Sequence, residues 1–375
     1  MAPLLTALSA YNGNIRAAGG GSGIFGPPVS LPLTYTLDST DNVRTGDTLT
    51  AVNSWWATNN TSPLFLLTGI QTYQGYYAGT LNQNCTCTAT LGGAAGGYNT
   101  NGRSISATFD FLQGDILVFF AGKPTTHSTA GSQIGVGAGG GASVLALYEN
   151  NDFTPLIVAA GGSSSHGGRQ TLSVASPLTA TSTAVSVRSS TTAGTNGNQG
   201  QIGSGGIGRG TRGSSQMAGA GWFYRAQDDS SSLLQDDAGH PDTLKTGARG
   251  GDRTSLPLNT VPGQGSDGGF GGGGADSDGN YYAPGGGGFY GGWECASTQS
   301  STQLSAQGFT EYVWYNNIAG QATITTAAYE MGPLSYVNTG VKNCRNVVDN
   351  GLWGNTTDTN VDSQQTYGRV NLVFS

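Results

Sequence analysis

The segment DSDGN, residues 276–280, comes nearest in this sequence to a metal-binding pattern. Asp276, Asp278 and Asn280 stand at alternating positions, as the oxygen ligands of calcium loops do. The glycine and the more distant glutamate that complete an EF-hand loop do not follow them. Two interpretations therefore stay open, a calcium site and a solvated loop, and we expect no other cofactor.

The three histidines do not form a catalytic pattern. His166 stands beside serines in SSSHGG, but the G-x-S-x-G turn that presents a nucleophilic serine is absent. His240 and Asp242, in GHPD, fit a turn better than a proton relay. His127 has no partner at a metal-binding spacing. We expect a protein that is not an enzyme.

Four cysteines leave several kinds of chemistry open: Cys85, Cys87, Cys295 and Cys344. Cys85 and Cys87 are two residues apart, so on a strand both side chains point to one face and bond more easily elsewhere than to each other. Disulfides to Cys295 and Cys344 and free buried thiols are both consistent with this spacing. A C-x-C pair without a second close pair does not have the spacing of a structural zinc site.

Four asparagines begin N-x-S/T sequons: Asn59, Asn60, Asn84 and Asn355. In a chain that meets a glycosylation machinery they mark surface positions. Asparagine and threonine are frequent here, so unmodified side chains are the other interpretation.

Composition excludes several classes of protein. Glycine contributes 64 of the 375 residues, charged residues are 10 % of the chain, and the formal net charge is −7. Affinity for nucleic acid needs clustered Lys and Arg, so we expect no nucleic-acid partner. No apolar run reaches the ~18 residues of a membrane-spanning helix, so we expect no membrane span. The shortage of Lys, Glu and Met, with many Thr, Val, Tyr and Ser, favours strands over helices.

Short strand-like runs begin after Pro63 and resume near the C-terminus. We predict an N-terminal strand-bearing arm over residues 1–62 and one β-domain over residues 63–375. In SISATFDFLQGDILVFFAG, the side chains of Ile105, Ala107, Phe109 and Phe111 should share one face, and LQGD should close a hairpin. Further runs bounded by glycine or polar residues are LFLLTGI, CTCTATL, ASVLALY, PLIVAA, TEYVWY, QATITTA, SYVN and YGRVNLVF.

Glycine-rich insertions interrupt these strands at about residues 131–168, 194–221 and 263–292. Strands occur on both sides of them, so the insertions belong to one sheet system. Glycine can adopt the extended three-residue-per-turn polyglycine-II helix, which has no internal hydrogen bonds. Several such helices side by side can satisfy each other's backbone groups because no Cβ keeps them apart. We predict a bundle of this kind.

The ordered blocks DFLQGDILVFFAGK, VGAGGGASVLAL, TPLIVAAGG, GGFGGGGADSDGNYYAPGGGGFYGG, GPLSYVN and GRVNLVF resemble the glycine-rich domain of the anaplastic lymphoma kinase and leukocyte tyrosine kinase receptors. Related modules occur in microbial and viral surface proteins. The resemblance runs from about Pro63 to Ser375 and implies an all-β fold, a jelly-roll-like β-sandwich with an inserted polyglycine-II helix bundle. The sequence has no kinase and no membrane span, so receptor signalling is not implied.

The glycine segments alone also resemble bacteriophage receptor-binding tips, which recognise surfaces with the loops between glycine helices. By that likeness, aromatic side chains around the NYYAP loop are candidate contacts: Tyr281, Tyr282, Phe289 and Tyr290.

We therefore expect a non-enzymatic structural or adhesive protein on a virion or extracellular surface, such as a capsid, vertex or fibre protein. Its expected partners are further copies of itself, other surface or capsid proteins, and a cell-surface receptor or glycan. The alternative is a secreted or surface ligand-binding module that resembles the receptor ectodomain.

Overall fold

A computed structural model describes fifteen parts of the chain, and for residues 177–180, 282–283 and 295–296 it describes the backbone alone. The other described parts are residues 25–41, 43–67, 73–97, 101–125, 138–162, 219–222, 241–253, 266–275, 285–289, 291, 335–354 and 366–375.

These parts contain fourteen strands and one helix. The helix, α1, spans Leu49–Asn59. The strands are β1 (Leu33–Asp38), β2 (Phe65–Leu66), β3 (Tyr77–Leu81), β4 (Cys85–Gly92), β5 (Gly102–Phe111), β6 (Ile116–Phe120), β7 (Ser143–Glu149), β8 (Asp152–Ala159), β9 (Pro177–Ala180), β10 (Tyr282–Ala283), β11 (Cys295–Ala296), β12 (Ser335–Asn338), β13 (Arg345–Trp353) and β14 (Arg369–Phe374).

Two large sheets make up the fold, and the all-β class predicted from the sequence is confirmed. The five-stranded sheet has the order β1-β14-β4-β5-β13 and is antiparallel throughout. The seven-stranded sheet has the order β2-β3-β6-β7-β8-β12-β9 and is antiparallel except where β12 pairs with β9. Strands β10 and β11 form a separate antiparallel pair.

The first hydrophobic core lies between the two sheets and follows from strand alternation. In β4, Cys85, Cys87, Ala89 and Leu91 are buried, while the threonines between them are half-buried or exposed. In β5, Ile105, Ala107, Phe109 and Phe111 are buried together, which confirms the predicted shared face. Both sets join one cluster with side chains from β6, β7 and β8 of the other sheet.

The hairpin predicted for β5 and β6 is wrong. Residues Leu112 to Asp115 do reverse the chain, with the Asp115 amide donating to the Leu112 carbonyl at 3.0 Å. The two strands nevertheless belong to different sheets: β5 pairs with β4 and β13, and β6 pairs with β3 and β7. A turn sequence specifies a reversal, but it leaves open whether the strands bond edge to edge or pack face to face.

The N-terminal region is built into the sandwich. Strand β1 pairs along its whole length with β14, from Leu33 opposite Phe374 to Asp38 opposite Arg369. Helix α1 follows, and the Thr48 side chain caps its first turn by accepting from the Ala51 amide. Trp56 is buried in the first core and lies 5.2 Å from Phe65, measured between ring centroids.

A second core covers the other face of the seven-stranded sheet. Strand β6 is buried on both faces, with Leu117 and Phe119 in the first core and Ile116, Val118 and Phe120 in the second. This two-sided burial explains its continuous apolar sequence. The covering side chains come from the glycine-rich segments and the residues near them: Trp222, Leu244, Ala248, Phe270 and Phe289.

Candidate functional site

The most unusual feature of the described structure is a network of backbone hydrogen bonds among glycine-rich segments. Residues 138–142, which enter β7, lie at its centre. The Gly139 amide donates to the Gly274 carbonyl at 2.9 Å, and the Gly287 amide donates to the Gly140 carbonyl at 3.0 Å. In all, residues 138–142 bond to five segments, at residues 94–97, 123, 162, 269–274 and 287.

This arrangement is not a β-sheet, because a sheet strand has neighbours only on its two edges. Around residues 138–142 the donors and acceptors point in more than two directions. Such a pattern needs close approach of several backbones, and the glycines, together with the small Ala138 and Ala142, allow it. The glycine-rich segments thus pack against each other through their backbones. We call residues 138–142 and the segments bonded to them the glycine body.

The positions of the glycines show how tight that body is. An added Cβ would lie closer than 3.0 Å to a neighbouring carbonyl oxygen at Gly139, Gly141, Gly269 and Gly287. The oxygen belongs to Gly285, Phe270, Lys123 and Gly271, respectively. Each of these carbonyls is main-chain, so relief requires a shift of a backbone that is itself hydrogen-bonded.

The buried side chain of Lys123 connects the N-terminal region to the glycine body through two ion pairs. The Lys123 side chain is 3 % exposed, and its Nζ lies 2.6 Å from the Asp41 carboxylate and 2.8 Å from the Asp47 carboxylate. The Tyr77 hydroxyl donates to the other Asp47 oxygen at 2.7 Å. Burial, with Asp47 beside it, raises the pKa of Tyr77 above its ordinary value, so the phenol stays a donor at neutral pH.

The main chain of Lys123 takes part in the same junction. Its amide donates to the Phe270 carbonyl at 2.8 Å, and its carbonyl accepts from the Gly141 amide at 3.0 Å. The ammonium group also lies 6.0 Å from the centroid of the Phe270 ring. Sequence reasoning missed this group, because Asp41 and Asp47 lie in a segment distant from Lys123 and no local pattern links them.

The aromatic residues predicted as contacts have different positions. Phe289 is buried and stacks on Tyr336, with ring centroids 4.0 Å apart and an interplanar angle of 10°. It is therefore a packing residue of the second core, which corrects its placement on a contact surface. For Tyr282 the backbone alone is described, in β10, while Tyr281 and Tyr290 lie outside the described residues.

The predicted metal ligands Asp276, Asp278 and Asn280 also lie outside the described residues. Within the part of the chain that the structure describes, no three His, Cys, Asp or Glu side chains form a group that could hold a metal ion. The described residues likewise contain no helix with the length and apolarity needed to cross a membrane.

Three of the four cysteines are described, and all three are free thiols. Cys85 and Cys87 are buried in the first core, as neighbours on one face of β4, and Cys344 is half-buried against the same core. Burial raises the pKa of the Cys85 thiol to about 12 and that of Cys87 well above its ordinary value. The Cys295 side chain is outside the described residues.

The sequon asparagines differ in how their side chains are used. Asn60 lies just after α1: its amide nitrogen donates to the Phe65 carbonyl at 2.7 Å, and its oxygen accepts from the Tyr35 hydroxyl at 2.9 Å. Asn59 and Asn84 are exposed. Asn355 lies outside the described residues. The Asn59 side-chain nitrogen also donates, to the Trp55 carbonyl at 2.9 Å, so the nitrogens of both Asn59 and Asn60 take part in hydrogen bonds.

No protein-family model matches the chain, and no curated protein sequence matches it either.

Proposed function

We propose that this chain is a non-enzymatic structural and adhesive protein of a virion or extracellular surface, most plainly a capsid, vertex or fibre component. The observation that carries the proposal is the set of backbone hydrogen bonds from residues 138–142 to five other segments. Packed backbone of this kind offers rigidity and fixed loop positions but almost no side chains for catalysis. Rigidity is what a displayed, load-bearing protein requires.

We further propose that the packed glycine segments are polyglycine-II helices and that the sandwich is jelly-roll-like. Two observations support the first point: the many-sided hydrogen bonding of residues 138–142 and the backbone carbonyls that occupy the places of missing side chains. For the second, two stacked, mostly antiparallel sheets with the chain crossing between them at residues 112–115 are consistent with a jelly roll. The resemblance to the receptor glycine-rich domain supports both.

Self-association is part of this proposal, since sandwiches of this kind commonly function in closed assemblies. The test is the molar mass of the full-length chain, measured by size-exclusion chromatography with light scattering under non-reducing conditions. A trimer or pentamer is expected. Antibodies raised against the chain should also label intact particles or cells of its source from the outside. A monomer confined to the cytosol would contradict the proposal.

The alternative is a secreted or surface ligand-binding module like the receptor ectodomain. It is favoured by the pairing of strand β1 with strand β14 along the whole length of β1, which joins the first and the last described strands in one sheet. A clean monomer in the light-scattering experiment, together with a processed N-terminus on the natural protein, would select this function over assembly.

A further inference from the structure

Part of the outer face of the five-stranded sheet is exposed among the described residues, although Ser104 and Thr108 on the same face are buried, and the chemistry of this face is unusual. One face of this sheet buries the first core, so alternate residues face outward. Those residues are mostly small and hydroxyl-bearing. Thr34 and Thr88 are exposed, and Thr36, Thr86, Thr90 and Ser106 are half-buried.

Strand register places four of these polar side chains in one row across the sheet. Thr36 is opposite Asn371, Asn371 is opposite Thr90, and Thr90 is opposite Ser106. Adjacent strands are ~4.8 Å apart, so the row spans about 14 Å. The Thr36 hydroxyl donates to the Asn371 side-chain oxygen at 2.8 Å, which fixes the orientation of that amide. The four side chains thus form a row of hydrogen-bond donors and acceptors across the sheet.

An indole ring lies beside this row. A Cβ built on Gly92 would be nearly equidistant from Cγ, Cδ2 and Cε2 of Trp353 and closer than 3.0 Å to each, so the indole covers Gly92 with its face. Its Nε1 donates to the Tyr367 carbonyl at 2.8 Å, and the Arg369 guanidinium carbon lies 5.4 Å from the ring centroid. The indole is half-buried. Because one of its faces covers Gly92, we infer that the other face is directed away from the sheet.

The charged side chains of this face are paired with each other. Arg369 donates to the Asp38 carboxylate at 2.5 Å and 3.0 Å, and Arg345 donates to Asp110 at 2.8 Å. The hydrogen bond from Arg345 also lowers the pKa of Asp110 below its usual range. Two cations and two anions leave this part of the surface neutral, which disfavours both polyanions and polycations as partners.

We propose that the outer face of the five-stranded sheet is a binding face for an uncharged oligosaccharide, with a sugar ring stacked on Trp353 and sugar hydroxyls bound by Asn371 and Thr90. A sugar ring carries C–H groups on its faces and hydroxyls on its rim. A fixed indole next to a row of hydroxyl and amide groups is complementary to both. Because the site is already held in place by the sheet, little ordering free energy is lost on binding.

This inference rests on the proposed adhesive function and names the partner class and the surface that would carry it. A second copy of this chain is the competing occupant of the same face. It is less favoured because the exposed apolar side chains at this edge, such as Val348 at 48 %, are isolated among polar groups. Strand β13 at the sheet edge is also bulged at two places, which opposes edge-to-edge pairing.

The test is binding of the full-length chain to an immobilised array of neutral, sialylated and sulfated oligosaccharides. Neutral glycans should be retained, and Trp353→Ala should lower that signal at least tenfold. Thr90→Val, which removes a hydroxyl with little change of shape, should lower it severalfold. Leu112→Ala is the matched control, because Leu112 is 59 % exposed but lies at the turn leading to the other sheet; its binding should equal that of the wild type.

Absence of neutral-glycan binding, binding confined to acidic glycans, or equal binding by wild type and Thr90→Val overturns the inference. Thermal unfolding of each variant shows whether Trp353→Ala is folded; if it is not, Thr90→Val decides. Indole N–H signals of protein labelled with 15N-tryptophan should shift when the retained glycan is added. A failure of glycan binding in an assembled, surface-exposed protein would leave the proposed function standing, whereas a cytosolic monomer that binds glycan would contradict the proposed function alone.

Discussion

The amide of Gly139 donates to the carbonyl of Gly274, while the α-carbon of Gly139 faces the carbonyl oxygen of Gly285. One residue thereby touches two other segments of the chain through backbone atoms alone. The first of these contacts needs the Gly139 amide, and the second needs the absence of its side chain. Glycine is therefore required at this position by space, and the same requirement holds at the neighbouring Gly141.

Gly141→Ala should destabilise the protein by about 3 kcal/mol, the upper end of the usual cost of overpacking. The added methyl group would collide with the Phe270 carbonyl oxygen, whose residue is hydrogen-bonded to Lys123. Chemical denaturation followed by tryptophan fluorescence measures the change. Gly26→Ala is the control, since its Cβ would meet its nearest neighbour, the Asn82 side chain, at 3.6 Å. Equal stability of the two variants would show that the glycine body is loosely packed.

Asp47→Asn should destabilise the protein more than Asp41→Asn. Both carboxylates face the ammonium group of Lys123, which is 3 % exposed, but Asp41 is 49 % exposed and Asp47 is 25 % exposed. Asp47 also accepts from the Tyr77 hydroxyl. We expect a loss of about 2 kcal/mol for Asp47→Asn and under about 1 kcal/mol for Asp41→Asn. Thermal melts at low and high salt would measure both, and the reverse order would refute the assignment of Asp47 as the main partner.

Trp56→Ala should destabilise the protein by about 3–5 kcal/mol, because it removes a large buried side chain from the first core. Leu49→Ala in the same helix is the control, since Leu49 is 56 % exposed and should change stability little.

A shortened chain that lacks residues 1–62 should also fail to give a cooperative unfolding transition, because it loses β1, the partner of β14. Cooperative unfolding of the shortened chain would mean that the N-terminal region is an addition to a complete domain.

The described thiols should react with a disulfide reagent at pH 8 in the order Cys344, Cys85, Cys87. The thiolate is the reactive form, and burial raises the pKa of Cys85 to about 12 and that of Cys87 well above its ordinary value. Burial also raises the pKa of Cys344, which is only half-buried. Mass spectrometry of the modified peptides gives the order, and denatured protein supplies the control in which all three should react quickly. Fast labelling of Cys87 in folded protein would contradict its burial.

The same burial predicts loss of stability in alkali. In the unfolded chain the Cys85 thiol loses its proton near pH 9.0, whereas in the folded protein burial raises its pKa to about 12. Tyr35 behaves alike, with an ordinary pKa of 10.0 that burial raises to about 12. The stabilisation from these groups is complete below pH 9 and is lost as the pH rises through the folded-state values. The denaturant midpoint should therefore fall steadily from pH 9 to pH 11, and a flat profile would contradict it.

The sequence by itself determined the local pattern of the fold. The alternation in β4 and β5 predicted their buried faces, because the two-residue period of a strand is a property of each strand alone. The composition excluded a helical protein for an equally local reason, since residues that favour helix are scarce. The glycine-rich insertions between strands predicted segments that are held in place by hydrogen bonds to other segments. The backbone hydrogen bonds of residues 138–142 agree with this prediction.

Only the tertiary structure decided which segments meet. The pairing of β6 with β3 and β7, rather than with β5, depends on partners far away in sequence. The placement of Lys123 between Asp41 and Asp47 also depends on a chain path that no local pattern encodes. The sugar-binding face that we propose arises in the same way, because Thr36, Asn371 and Thr90 become neighbours through the register of three strands. Any strand can form backbone hydrogen bonds with any other strand, so these bonds do not select the partner of a strand. The partner is selected by side-chain packing across the whole sheet, and only the tertiary structure shows that packing.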